Sequence, residues 1–95
     1  MRLRWSDPSL RDLAAIRTYI ATDNPVAADR VLHRINHVTR QLLSPIAYTG
    51  RAGHVAGTYE LVVTGTPYLV IYRRRDEEIE IVRVLHGAQK RPTDD

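Results

Sequence analysis

Along the chain, apolar and polar positions alternate in one short stretch, then recur at helical spacing, then alternate again in three runs. "MRLRW" reads as a first strand, with Leu3 and Trp5 on one side. "SDPSLRDLAAIRTYI" then opens a helix, in which Asp7 is expected to cap the exposed N–H groups and Pro8 to take the first helical position. Leu10, Leu13, Ile16 or Arg17, and Ile20 mark its buried stripe, and the helix is expected to stop near Asp23. The same grammar repeats with Asn24 as cap and Pro25 behind it. Ala28, Val31, Leu32, Ile35, Val38, Leu42 and Leu43 then share one face, and Pro45 closes the segment. So short a link between the helices predicts an antiparallel helical hairpin.

"YTGRAGHVAG" reads as a glycine-rich loop, and after it "TYELVV", "PYLVIY" and "IEIVRVL" read as strands of an antiparallel meander joined by "TGT" and "RRRDEE". The predicted architecture is α+β, in the order β-α-α-β-β-β, with the hairpin on one face of the sheet and the other face available. The whole chain, residues 1–95, forms one domain. A chain of this length buries roughly 60–65% of the surface its unfolded form exposes, enough for a single core. No cysteine is present, so disulfides and thiolate metal sites are excluded, and the four histidines lack the spacing of a zinc site. "MRLRWSDPS" turns polar too soon for a signal peptide and no apolar run is long enough to span a membrane, so a soluble cytoplasmic protein is expected.

Charge sharpens this picture. Arg30, Arg34, Arg40, Arg51, Arg73, Arg74 and Arg75 stand against a single acid, Glu60, in the middle of a chain whose net charge is only +3, while acids gather from Asp76 to Glu80. That middle is a candidate surface for an anionic partner, with Gln89, Lys90 and Arg91 extending it at the C-terminal corner. In the last strand, strict alternation puts Ile79, Ile81, Arg83 and Leu85 on one face and Glu80, Val82, Val84 and His86 on the other. Arg83 is an odd member of its row: it either pairs with an acid such as Glu60 or points into an anion-binding hollow. His86 ends the strand, with a titration range suited to acid–base work or to a local hydrogen bond. "GRAG" lacks the lysine and hydroxyl residue of a phosphate loop and does not join a strand to a helix. Tyr59, Tyr68 and Tyr72 either stack on bases or fill the core. Neither a carboxylate pair nor a nucleophile motif is evident, and no cofactor is called for.

Taken in order, "DLAAIRTYIATDNPVAADRVL", "LLSPIAYTGRAGHVAGTYELVV", "PYLVIYRR" and "IEIVRVLHGAQ" resemble the RelE/ParE superfamily of toxins from bacterial type II toxin–antitoxin modules. The resemblance implies the same fold, growth inhibition, a role in plasmid stabilisation, and neutralisation in a hetero-oligomer by a ParD-like or RelB-like antitoxin. ParE-like members inhibit DNA gyrase; RelE-like members cut messenger RNA on the ribosome. The long hairpin and "IVRVLH" look more like ParE, whereas His86 and Gln89 in "HGAQ" could serve a nuclease. At "GTYELVV" many relatives read Gly-Thr-Arg-Glu. Tyr59 stands here instead, with Glu60 where RelE-like nucleases tend to carry an arginine. Losing one such cation beside a scissile phosphate typically costs about 100- to 1000-fold in rate. The expectation is a gyrase-binding toxin without chemistry of its own. The alternatives are an endoribonuclease in which Arg51, Arg83 and His86 line a catalytic hollow, and a module that keeps antitoxin binding but has lost toxicity.

Overall fold

The computed structural model describes residues 1–44 and 50–88. Strand β1 (Arg2–Trp5) leads into helix α1 (Asp7–Ala21), which is followed by α2 (Pro25–Arg40), a short 3-10 turn at Gln41–Leu43, and strands β2 (Arg51–Ala52), β3 (Tyr59–Val62), β4 (Tyr68–Arg75) and β5 (Glu78–His86). The strands form one sheet in the order β1-β5-β4-β3-β2. Apart from one added strand, the layers and the element order are those expected from the sequence. The details differ in instructive ways.

The sheet is mixed: β1 lies parallel to β5, pairing Leu3 with Ile79 and Trp5 with Ile81, while all other pairs are antiparallel. The glycine-rich loop contributes the additional strand β2, which a side chain on Gly50 would obstruct by colliding with the Glu60 carbonyl. The connection between β4 and β5 shrinks to Asp76 and Glu77, since the arginine triplet is itself strand. Asp76 turns the chain at φ 49°, a left-handed conformation that aspartate tolerates better than most residues.

Ser6, not Asp7, caps α1. Its extended backbone lets the hydroxyl accept from the Ser9 N–H at 3.1 Å, so Asp7 and Pro8 both fall inside the first turn. The helix ends at Ala21, two residues before the expected stop. Asn24 caps α2 as expected, accepting from Ala27 at 3.0 Å. The expected role of Pro45 lies outside the described residues.

Between helices and sheet, Ile16, Ile35, Val38 and Leu42 meet Leu61, Val63, Val70, Tyr72, Ile79, Ile81 and Val84. Each fully buried aliphatic side chain contributes about 1.5–3 kcal/mol relative to an exposed one. Leu10, assigned to the buried stripe, is instead exposed. By strand alternation, Leu69, Ile71 and Leu85 occupy the opposite face, and all three are buried, so that face is not left open as the sequence suggested.

The alternation expected for β5 fails at one point. Ile71 pairs with Arg83 but Tyr72 pairs with Ile81, which leaves Val82 as the extra residue of a β-bulge. Ile79 and Ile81 are therefore joined in the main core by Val84, while Leu85 goes to the other cluster. Arg83 thus parts from Ile79 and Ile81 but keeps Leu85 on its face and Ile71 opposite it.

Candidate functional site

Where β1 ends, β5 would present bare backbone groups at its edge, and the first turns of α1 supply their partners. The Ser6 N–H donates to the Ile81 carbonyl at 3.0 Å and the Ser6 hydroxyl to the Val82 carbonyl at 2.9 Å. Asp12 Oδ2 accepts from the Val84 N–H at 2.9 Å. The same carboxylate takes Arg83 in a fork, Nε at 2.7 Å and Nη2 at 2.9 Å. Arg83 thus pairs with Asp12 and not with Glu60. The two hydrogen-bond donations to Asp12 raise the guanidinium pKa above its ordinary value, with burial acting the other way. The sequence offered a signal for Asp12 that went unread: Ser9, Asp12 and Ile16 fall on one helical stripe, so an acid stood on the buried face and called for a cation.

Glu60 is buried instead beside β2. Its Oε2 meets His54 Nδ1 at 2.9 Å and the His54 N–H at 3.4 Å, and its Oε1 lies 3.6 Å from Arg51. Arg51 itself is two-thirds exposed. The register sets Arg51, Glu60, Ile71 and Arg83 in one row across four strands. At about 4.8 Å per strand, the backbones of Arg51 and Arg83 are roughly 14 Å apart.

His86 pairs with Tyr68 across the other end of the β4–β5 ladder. Their rings meet edge to face at 5.6 Å, and His86 Nδ1 accepts from the Ala88 N–H at 3.0 Å. Both rings line an open groove of about 570 Å³ between the sheet and the hairpin, with Ile16, Tyr19, Ile20 and Val31 along it. Burial, and secondarily the nearby Tyr19, raises the Tyr68 phenol above its ordinary 10.0. Tyr72 is fully buried; its hydroxyl accepts from the Gly50 N–H at 2.9 Å, and Tyr59 stacks on it at 5.4 Å.

Of the residues read as partner-binding, Arg30 and Arg34 come together on α2 beside the β3–β4 turn. Arg40 is exposed at the end of the same helix, and Arg73 lies opposite Glu80 in the β4–β5 hairpin. Gln89, Lys90 and Arg91 lie outside the described residues. The structure therefore gathers Arg30 with Arg34, but keeps Arg51, Arg83 and His86 in three separate surroundings. Among the described residues no three potential metal ligands cluster, and no helix is long and apolar enough to cross a membrane.

Comparison with known proteins agrees with this geometry. The family described as the ParE toxin of type II toxin–antitoxin system, parDE, matches residues 3–91. Y4kP of Sinorhizobium fredii is 38% identical over 91 residues, covering 96% of this chain and 93% of its own. Toxin RelE2 of Caulobacter vibrioides is 33% identical over 85 residues, covering 90% and 93%. Among solved structures, a chain from the chromosomal ParDE TA system of P. aeruginosa superimposes with a TM-score of 0.78 at 28% identity, covering 88% of this chain and 92% of that one.

Proposed function

We propose, on the premise that this chain belongs to the ParE toxin family of type II toxin–antitoxin systems, that it arrests growth by binding DNA gyrase in the cytoplasm and is neutralised there by a ParD-like antitoxin. The observation that carries this reading is the dispersal of the three nuclease candidates. A general acid or base works within about 2.6–3.2 Å of the proton it moves, and a cation must sit against the charge it stabilises. Arg83 spends its fork on Asp12, Arg51 lies across the sheet beside Glu60, and His86 packs on Tyr68. Such separation favours a toxin that acts by occupying a surface. An antitoxin partner follows from the family and is in keeping with the ParDE system to which the superimposed chain belongs.

The name of the Caulobacter relative, RelE2, favours the second reading, a ribosome-dependent endoribonuclease. Expression without antitoxin, followed by pulse labelling of DNA and protein synthesis within minutes, separates the two. Early loss of DNA synthesis with translation continuing is the expected outcome. Early loss of translation would overturn the gyrase reading, and undisturbed growth would mark a module that retains only antitoxin binding.

A further inference from the structure

The exposed face of α2 carries Arg30, Arg34, His37 and Arg40, and no acid lies between Asp29 and the end of the helix. Asp29 itself is engaged at 2.7 Å by Arg17 of α1, so it does not neutralise this stripe. Other arginines of the fold have carboxylates at hand: Arg4 meets Glu78 and Glu80, Arg51 meets Glu60, and Arg83 meets Asp12. Among the described residues, Arg34 is held by neutral groups only. Its Nε donates to the Thr64 carbonyl at 3.1 Å and its Nη2 to the Thr64 hydroxyl at 2.7 Å. Because Thr64 Oγ1 accepts that bond, its own proton remains to be donated outward.

Arg30, one turn before Arg34, joins Arg34 and Thr64 around a cavity of about 210 Å³ between α2 and the β3–β4 turn, with Val31, Gly65 and Thr66 completing its wall. Gly65, at φ 85°, shapes that turn without placing a side chain over the cavity. A hollow offering donors and uncompensated positive charge fits an oxyanion. From Arg30 to Arg40 the stripe runs about 15 Å along the helix, the axial length over which one nucleic-acid strand presents about four phosphates at about 3.4 Å each. Repetition of arginines over three turns, with no tyrosine or tryptophan among them, matches a regularly charged backbone better than a peptide held by a few anchors.

We propose that this face of α2 binds the phosphate backbone of nucleic acid without regard to sequence, with one phosphate seated in the notch between Arg30, Arg34 and Thr64. The proposal does not depend on gyrase being the target, since binding is read on the isolated chain. The test is fluorescence anisotropy of a labelled DNA duplex of arbitrary sequence, titrated with the purified protein between about 50 and about 200 mM salt. Affinity of the parent should fall steeply with salt. Arg30→Gln with Arg34→Gln should reduce the magnitude of the log–log salt slope by about 1.8, and Arg11→Gln on α1 should leave it unchanged. Glutamine sustains a helix nearly as well as arginine, and an unchanged unfolding midpoint verifies the fold. Should the double variant unfold, Thr64→Val provides a second reading, weakening binding about fivefold through loss of one hydrogen bond. Equal salt slopes in parent and double variant, or an equal loss in Arg11→Gln, would overturn the proposal. So would displacement of the duplex by polyglutamate as readily as by unlabelled DNA, which would make an acidic polypeptide the occupant.

Discussion

Replacing Asp12 by alanine removes three hydrogen bonds in one step: two charged bonds from Arg83 and one from the Val84 N–H. A buried backbone donor left without a partner costs about 1–3 kcal/mol, and a charged bond contributes about 1.5–3 kcal/mol. Arg83 keeps about a third of its side chain in water (34%), which lets solvent replace part of what the pair supplied. The net loss for Asp12→Ala is therefore about 2–3 kcal/mol, or about 10–20 °C in Tm for a domain of this size. Arg83→Ala leaves Asp12 bonded to Val84 and should cost less, about 1–2 kcal/mol, with a coupling energy of about 1 kcal/mol in the double-mutant cycle. Urea denaturation followed by far-ultraviolet circular dichroism measures all three variants, with unchanged m values expected. A loss below about 0.5 kcal/mol for Asp12→Ala would refute the reasoning, because that is the size of an ordinary surface change. The cycle also bears on function. A double variant, Asp12→Ala with Arg83→Leu, that folds and still arrests growth would confine Arg83 to the scaffold; one that folds but has lost toxicity would return Arg83 to the working surface.

Two further outcomes are expected. Since the Tyr68 phenol titrates above 10.0 in the folded chain, the folded state keeps a proton that the unfolded state releases, and stability is lost as pH rises from 10 toward the raised value. Tyr68→Phe should flatten that decline in the urea midpoint, and an equally steep decline in the variant would contradict the assignment. Among the described residues the buried Thr39 hydroxyl has no hydrogen-bond partner, so Thr39→Val should raise stability by about 1 kcal/mol in the same assay, whereas destabilisation would show that the hydroxyl is satisfied in solution.

Helices and strands were legible because their signals are local. Asn24 before Pro25 and the stripe from Ala28 to Val38 state the second helix almost completely, although the apolar pattern runs on to Leu43 where the chain has already tightened into a 3-10 turn. What was not legible depends on residues far apart in the chain. The parallel pairing of Arg2–Trp5 with Glu78–Ile81 leaves no trace in either segment, and one extra residue at Val82 was enough to misassign every side chain beyond it. The site followed the same rule. Of the two alternatives the sequence leaves for Arg83, a carboxylate partner or an anion-binding hollow, the fold takes the first, but with Asp12, 71 residues earlier on a helix, and not with Glu60. His54 carried no signal at all, for its contact with Glu60 arises only when the loop after β2 folds back.

The placement of β5 between β1 and β4 has a consequence for biosynthesis. The N-terminal strand emerges from the ribosome first but finds its neighbour only when residues 78–81 have followed, so the core cannot close on a partial chain. A product truncated before β5 is therefore expected not to close this core, and toxicity is expected to require synthesis through β5.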